Sequence, residues 1–83
     1  MKSHVYILFS EKLNKFYVGS TSDLERRLLD HNRGKEKFTK TGIPWQLVYK
    51  EVLVDLASAR RREREIKLKK SRKYIEGLLN SAG

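Results

Sequence analysis

Two short hydrophobic runs near the start of the chain predict a β-hairpin. The first run covers residues 5–9 and the second covers residues 16–19, and a polar stretch over residues 10–15 separates them. Runs of this length, bounded by polar residues, are typical of strands. The polar stretch contains Asn14 but no Asn-Gly or Asp-Gly pair, so turn chemistry leaves the register of the hairpin open.

A helix is predicted directly after the hairpin. The segment 22–25, Ser-Asp-Leu-Glu, matches a capping box in which Ser22 begins the helix and Glu25 reaches back to it. The helix is expected to stop near Gly34, since glycine readily takes the left-handed conformation found after helix ends. Residues 35–41 then form a basic, polar loop.

The second half of the chain predicts one more strand and two more helices. Residues 45–54 are rich in β-forming side chains and predict the third strand. Asp55 is a suitable N-cap for a helix that reaches about residue 69, and a last helix is predicted over residues 71–80. The order is therefore β-β-α-β-α-α, an α+β fold with a three-stranded antiparallel sheet and three helices.

Length and composition restrict the class of protein. The chain has 83 residues without a proline- or glycine-rich linker, so we expect a single domain over 1–83, with a core over about 3–76 and a disordered tail over 80–83. The absence of cysteine excludes a disulfide scaffold, a thiolate zinc site and a cysteine nucleophile. The longest hydrophobic run has five residues, against the roughly 20 that cross a bilayer. We expect a cytoplasmic protein that does not enter membranes.

A surplus of positive charge points to a polyanionic partner, and to nucleic acid before a membrane surface. The 19 lysines and arginines exceed the 10 acidic residues by nine. Nine of the 19 lie within the 14 positions 60–73, where they form either a phosphate-contacting ridge or an ordinary solvated face. The candidate nucleic-acid-binding residues are Arg60, Arg64, Lys67 and Lys70 on that flank and Lys35, Lys37 and Lys40 in the basic loop.

Helical periodicity turns three polar side chains toward the interior. Arg27 and His31 share a stripe with leucines of the first predicted helix, and Glu63 shares one with apolar residues of the second. A carboxylate on an apolar face needs a cation or a metal as its partner. The partner of Glu63 is therefore either Arg27, in a structural ion pair, or a divalent ion.

The remaining candidate groups have structural alternatives. His31 lies near a helix end, where a histidine is commonly a cap or a polar group at a packing edge. Tyr6 and Tyr17 lie in the hairpin strands, where a tyrosine ordinarily buries its ring and keeps its hydroxyl hydrated. Spacing alone does not separate these interpretations from a catalytic one.

Five segments follow one another in a characteristic order. They are Tyr17-Val18-Gly19-Ser20-Thr21, Leu24-Glu25-Arg26-Arg27-Leu28, His31-Asn32, Pro44-Trp45-Gln46-Leu47-Val48-Tyr49 and Arg62-Glu63-Arg64-Glu65-Ile66-Lys67. Together with Val5-Tyr6 they resemble the GIY-YIG nuclease family. The resemblance is greatest to small standalone bacterial members, which are related to the N-terminal nuclease domain of the excision-repair endonuclease.

The resemblance implies an endonuclease that hydrolyses DNA phosphodiester bonds, in DNA repair, recombination or the processing of branched or single-stranded DNA. It implies one divalent ion, Mg²⁺ or Mn²⁺, held by Glu63, and places Arg27 against the scissile phosphate. Tyr6 is implied as the general base toward the attacking water and Tyr17 as a positioning group. His31 is the competing general base. An ordinary tyrosine pKa near 10 suits a base poorly, so nearby positive charge must lower it or water must relay the proton.

The sequence differs from the family motifs at two positions, and two other functions are also compatible with it. The first motif reads His4-Val5-Tyr6 and the second has Val18 where the family name implies isoleucine, but both tyrosines are present. The chain is alternatively a basic module that binds nucleic acid without cutting it. In a third interpretation it acts only when a partner protein recruits it to DNA, because no base-reading element is evident.

Overall fold

The fold has the predicted order of strands and helices. The computed structural model describes residues 1–82 of the 83. Its elements are β1 (Ser3–Ser10), β2 (Lys15–Thr21), α1 (Leu24–Asn32), β3 (Trp45–Leu53), α2 (Leu56–Leu68) and α3 (Arg72–Ala82), with one 3₁₀ turn at Lys40–Gly42. The three strands form an antiparallel sheet in the order β2-β1-β3, which confirms the predicted fold class. No helix within 1–82 has the length and apolar character needed to cross a bilayer.

The central strand β1 is buried on both faces of the sheet. Val5 and Ile7 belong to one core cluster, which α2 covers with Ala59 and Ile66. Tyr6 and Leu8 belong to a second cluster, on the face covered by α1, together with Trp45. Because both faces of β1 need apolar side chains, its sequence is a continuous hydrophobic run rather than an alternation.

The hairpin register that turn chemistry left open is set by pairs along the whole of both strands. Tyr6 pairs with Gly19 and Ser10 pairs with Lys15. At the turn, Asn14 adopts a left-handed backbone with φ of 53°, which asparagine tolerates better than most residues. The Ser10 hydroxyl accepts from the backbone N–H of Leu13 at 3.1 Å and donates to the carbonyl of Gly42 at 2.7 Å. This one side chain ties the hairpin turn to the 3₁₀ turn.

Helix α1 begins one residue later than the capping box predicts. Its N-cap is Asp23, whose carboxylate accepts from the backbone N–H of Arg26 at 3.2 Å. Thr21 Oγ1 accepts from the backbone N–H of Asp23 at 3.0 Å, and this local turn sets the start of the helix, so Ser22 as the cap is wrong. After the helix, Gly34 has a φ of 79°, as the glycine signal predicts. Asp55 is confirmed as the N-cap of α2 by its bond from Ser58 N–H at 2.7 Å.

The C-terminal helix is longer than predicted. α3 extends to Ala82, two residues beyond the predicted end, while the disordered tail over 80–83 stays a prediction whose residue 83 lies outside the described residues. Tyr74, Ile75 and Leu78 pack one face of α3 against the Val5 cluster. That apolar contact anchors α3 to the sheet.

Replacing Gly19 with alanine tests the close contact between β1 and β2. A Cβ at Gly19 would overlap the phenol of Tyr6, so we expect a loss of roughly 1–3 kcal/mol in the free energy of unfolding, measured with urea. Gly77, in α3, has open space around it and is the matched control, because alanine there should raise stability by about 0.5–1 kcal/mol through helix propensity. Unchanged stability of Gly19→Ala would contradict this packing.

Candidate active site

A chain of hydrogen bonds links Tyr6, His31 and Thr39 on the α1 side of the sheet. The Tyr6 hydroxyl lies 2.9 Å from His31 Nε2, and His31 Nδ1 lies 2.8 Å from Thr39 Oγ1. The Thr39 hydroxyl donates to the carbonyl oxygen of Glu36 at 3.4 Å, so it accepts the proton on Nδ1. His31 Nε2 is then free of hydrogen and accepts from the Tyr6 hydroxyl. The hydrogen bonds therefore run in one direction, from the Tyr6 hydroxyl to His31 and from His31 to Thr39.

Burial sets the protonation of both groups in this chain. Tyr6 is 1% exposed and His31 is fully buried. Burial raises the pKa of Tyr6 to about 12, although the nearby Arg27 acts to lower it. Burial also lowers the pKa of His31 below its ordinary 6.5, with a further contribution from Arg27. Burial therefore outweighs Arg27, and the positive charge does not bring the pKa of Tyr6 below its ordinary value. Both Tyr6 and His31 are neutral at pH 7.

Tyr17 forms a wall of the same site. Its ring meets the His31 ring edge-on at 5.0 Å between centroids and lies 6.4 Å from the Tyr6 ring. The Lys67 ammonium lies 5.9 Å from the centre of the Tyr17 ring. Tyr17 is half-buried, so one side of its ring belongs to the core and its remaining surface faces solvent beside Lys67.

Arg27 lies at the solvent boundary of this cluster and does not pair with Glu63. Its guanidinium forms an ion pair with Glu36 at 2.7 Å, and both side chains are about one-third exposed. The alternative in which Arg27 is the structural partner of Glu63 is therefore wrong. Glu36 takes one of the five guanidinium N–H groups in this contact, which leaves others for a bound anion.

Glu63 approaches the site from the other side of the sheet, around the edge strand β2. Its neighbours on the α2 stripe, Ala59 and Ile66, are buried, while its own side chain is 20% exposed. The Ser20 hydroxyl donates to one carboxylate oxygen at 2.5 Å and Lys67 contacts the other at 2.5 Å. The inward placement predicted from spacing is thus partial, and the carboxylate keeps a face toward solvent.

Glu63 fits a divalent ion that completes its coordination from the substrate. Within residues 1–82, no three acidic or histidine side chains converge as a metal cage. Mg²⁺, however, is commonly bound by one or two carboxylates and otherwise by water and phosphate oxygens. The single carboxylate, oriented by Ser20 and bordering an open groove, suits an ion of that kind.

The basic residues predicted to contact nucleic acid fall into two groups around the site. Arg60, Arg64, Lys67 and Lys70 line the groove beside Glu63. In the loop after α1, Lys35 lies 3.7 Å from Asp30, and Lys37 and Lys40 are exposed. The structure therefore brings the ridge to the metal-ligand candidate and the loop lysines to the side of Arg27 and His31.

Three polar residues of the site were not predicted from the sequence. Ser20 orients Glu63, Glu36 pairs with Arg27, and Thr39 holds His31. Ser20 lies within a segment that carries the family resemblance, and that segment was the signal from which Ser20 could have been predicted as a site residue. The loop over 35–41 shows no periodicity, and only its basic character could be read from the sequence.

Comparison with known proteins places the chain in a family. Residues 2–75 match the model of the GIY-YIG catalytic domain. A UPF0213 protein of Staphylococcus haemolyticus is 46% identical over 67 residues, which cover 80% of each chain. The UPF0213 protein YazA of Bacillus subtilis is 34% identical over 83 residues, covering 95% of this chain and 84% of that one.

A solved structure shows the same fold. The solution structure of a UPF0213 protein from Bacillus halodurans matches with a TM-score of 0.63 at 34% identity, covering all of this chain and 87% of the other. The matched domain includes every one of the five candidate catalytic residues, from Tyr6 to Glu63. The chain is therefore a small member of the GIY-YIG family, similar to the UPF0213 proteins.

Proposed function

We propose that the protein is a metal-dependent endonuclease that hydrolyses phosphodiester bonds of DNA. The hydrogen-bonded pair of Tyr6 and His31 beside Arg27 is the observation that carries this proposal. A neutral histidine that accepts from a tyrosine hydroxyl can also take up its proton, which is the property a general base needs. Membership of a family of catalytic domains supports the same interpretation.

The pair of Tyr6 and His31 acts as one general base. Tyr6 stays protonated at neutral pH, since burial raises its pKa to about 12, so it cannot take up a proton without giving away its own. As the Tyr6 oxygen takes a proton from the attacking water, its own proton passes to His31 Nε2 at 2.9 Å. No phenolate forms in this exchange, and the positive charge ends on a ring that Thr39 orients through Nδ1.

Arg27 stabilises the negative charge that develops on the phosphate. Guanidinium groups bind phosphate oxygens through parallel N–H donors, and such preorganised donors stabilise a transition state strongly. The contact with Glu36 holds the guanidinium at the mouth of the site. Tyr17, between His31 and Lys67, positions the water or the phosphate.

Glu63 would hold one divalent ion, Mg²⁺ or Mn²⁺. When bound, such an ion stabilises charge on the leaving oxygen as a Lewis acid. Ser20 fixes the direction of the carboxylate through its 2.5 Å hydrogen bond. Lys67, now paired with Glu63, would be free to contact phosphate if an ion took its place on the carboxylate.

DNA is the proposed substrate because both basic groups flank the same site. The groove lysines and arginines and the loop lysines suit two stretches of phosphate backbone on either side of the reacting group. A module that only binds nucleic acid would have Arg27 and Glu63 as a structural pair, and their partners are Glu36 and Lys67 instead. Action in DNA repair or recombination, with recruitment by a protein partner, belongs to this proposal.

Glu63→Gln tests the proposed nuclease directly. The amide keeps the shape and the bond from Ser20 but binds a divalent ion poorly, so we expect cleavage with Mg²⁺ or Mn²⁺ to fall by about 100-fold or more. Stability should change by less than about 1 kcal/mol, since the pair with Lys67 is partly exposed. Glu65→Gln, on the same helix and paired with Arg62, is the matched control. If Glu63→Gln cuts single-stranded, branched and duplex DNA as the wild type does, the proposal is wrong.

Stability should decrease at acidic pH because His31 is buried without charge. In the unfolded chain the histidine binds a proton near its ordinary pKa of 6.5, whereas in the fold burial and Arg27 lower that pKa despite the opposing Glu36 and Asp30. The contribution of neutral His31 to the free energy of unfolding is therefore complete above about pH 6.5 and is lost as the pH drops below that value. Urea unfolding between pH 7.5 and 5 should show a steeper loss for the wild type than for His31→Gln. Equal slopes would show that His31 titrates normally.

Arg64→Ala tests the phosphate contacts of the groove. Arg64 is exposed and forms no ion pair with any described residue from 1 to 82. Its loss should weaken binding to DNA of any sequence and reduce the slope of log affinity against log salt by about 1. Binding is measured by fluorescence anisotropy without metal, so that the DNA stays uncut. Arg61→Ala, a neighbour outside the groove, should leave the slope nearly unchanged, and an equal effect of both variants would refute the assignment.

A further inference from the structure

Phe38 is the one exposed aromatic side chain among the described residues 1–82. It is 88% exposed, whereas every other aromatic residue within 1–82 is buried or half-buried. Phenylalanine is among the residues most often buried, and exposing one forfeits a large hydrophobic contribution to folding. Packing within the chain does not account for its place in the loop after α1.

The loop that carries Phe38 is fastened to the candidate catalytic residues on both sides. Two residues before it, Glu36 pairs with Arg27 at 2.7 Å. One residue after it, Thr39 binds His31 at 2.8 Å through its hydroxyl and accepts from the Trp45 indole N–H at 2.6 Å through its carbonyl. The backbone on either side of Phe38 is thus fixed to Arg27 and His31, so Phe38 belongs to the same loop surface as the two residues proposed to act on the phosphate.

The charges around Phe38 identify the chemistry of its partner. Lys35, Lys37 and Lys40 lie within three residues of it and are all exposed. Lysines that bind phosphates, interleaved with an aromatic ring that stacks on bases, form the usual surface for single-stranded nucleic acid. A second copy of this chain suits the patch poorly, because it would bring two sets of lysines together in a protein of net charge +9.

We propose that Phe38 stacks on an unpaired base beside the phosphate that Arg27 binds. The face of a base is accessible to one side chain when the base is unpaired, and is covered by its neighbours within a duplex. The inference rests on the proposed nuclease function and deepens it. The preferred substrate is nucleic acid with at least one unpaired nucleotide at the cleavage position.

Binding to a 20-nucleotide single strand and to the duplex of the same sequence tests the proposal. With EDTA present, so that nothing is cut, Phe38→Ala should lose about fivefold or more in affinity for the single strand and less than twofold for the duplex. Val54→Ala is the matched control, because Val54 is also an exposed apolar residue, at 72%, but lies in the turn before α2. It should bind both substrates as the wild type does.

Phe38→Trp reports the contact itself. A stacked indole loses fluorescence, so the single strand should quench this variant, while the wild type, whose Trp45 is buried, gives the background. Four results would each overturn the proposal. Phe38→Ala loses affinity equally for both substrates, or it loses no affinity at all. Alternatively, the single strand does not quench the fluorescence of Phe38→Trp, or the protein does not bind the single strand. A dimer in sedimentation that Phe38→Ala abolishes would also overturn it, since the patch would then serve self-association.

These outcomes separate the stacking from the proposed nuclease function. If the protein cuts no DNA but the single strand quenches Phe38→Trp, the nuclease proposal fails and the stacking proposal stands. If the protein cuts DNA and Phe38→Ala binds and cuts single strands as well as the wild type, the nuclease proposal stands and the stacking proposal fails.

Discussion

The buried hydrogen bond between the Tyr6 hydroxyl and His31 is the contact on which the arrangement of the site depends. It joins the central strand to the end of α1 between two buried side chains, and without it each polar group would lose its hydrogen-bond partner. The surroundings serve this contact. Gly19 lacks the side chain that would collide with the phenol, and Thr39 occupies the second ring nitrogen of His31. The loop that contains Thr39 is consequently part of the site rather than a connection between elements.

The edge strand β2 divides the site into two parts with different electrostatics. Tyr17 belongs to the cluster on the α1 face, while its neighbour Val18 belongs to the cluster on the α2 face, and Ser20 on that second side meets Glu63. The first part is buried, and Tyr6 and His31 within it are neutral at pH 7. The second part is hydrated and charged. Arg27 and Glu63 have separate partners, so neither neutralises the other and both charges stay available to a phosphate and its counterion.

Much of the fold followed from the sequence, because the hydrophobic runs, the Asp55 cap and the Gly34 stop act locally and agree with one another. The start of α1 did not, since Thr21 binds the backbone N–H of Asp23 and Asp23 caps that of Arg26, which starts the helix one residue after the position that a Ser22 cap predicts. The length of α3 depends on packing against the sheet, which local propensity does not report. For the site, periodicity turned Arg27, His31 and Glu63 inward, but it could not assign their partners, because Glu36 and Thr39 come from a loop with no repeating pattern.

The pair of Arg27 and Glu36 has a consequence for which anions the site admits. The carboxylate offsets the charge of the guanidinium while it occupies only one of its N–H groups, so a lone anion gains little from the N–H groups that remain. A long polyanion gains more, because its other charges engage the surrounding lysines and hold one phosphate at the arginine. Free phosphate and mononucleotides, which lack those additional contacts, would be poor inhibitors. Under the proposed function, the paired carboxylate would thus favour long polyanions over short ones before any base is contacted.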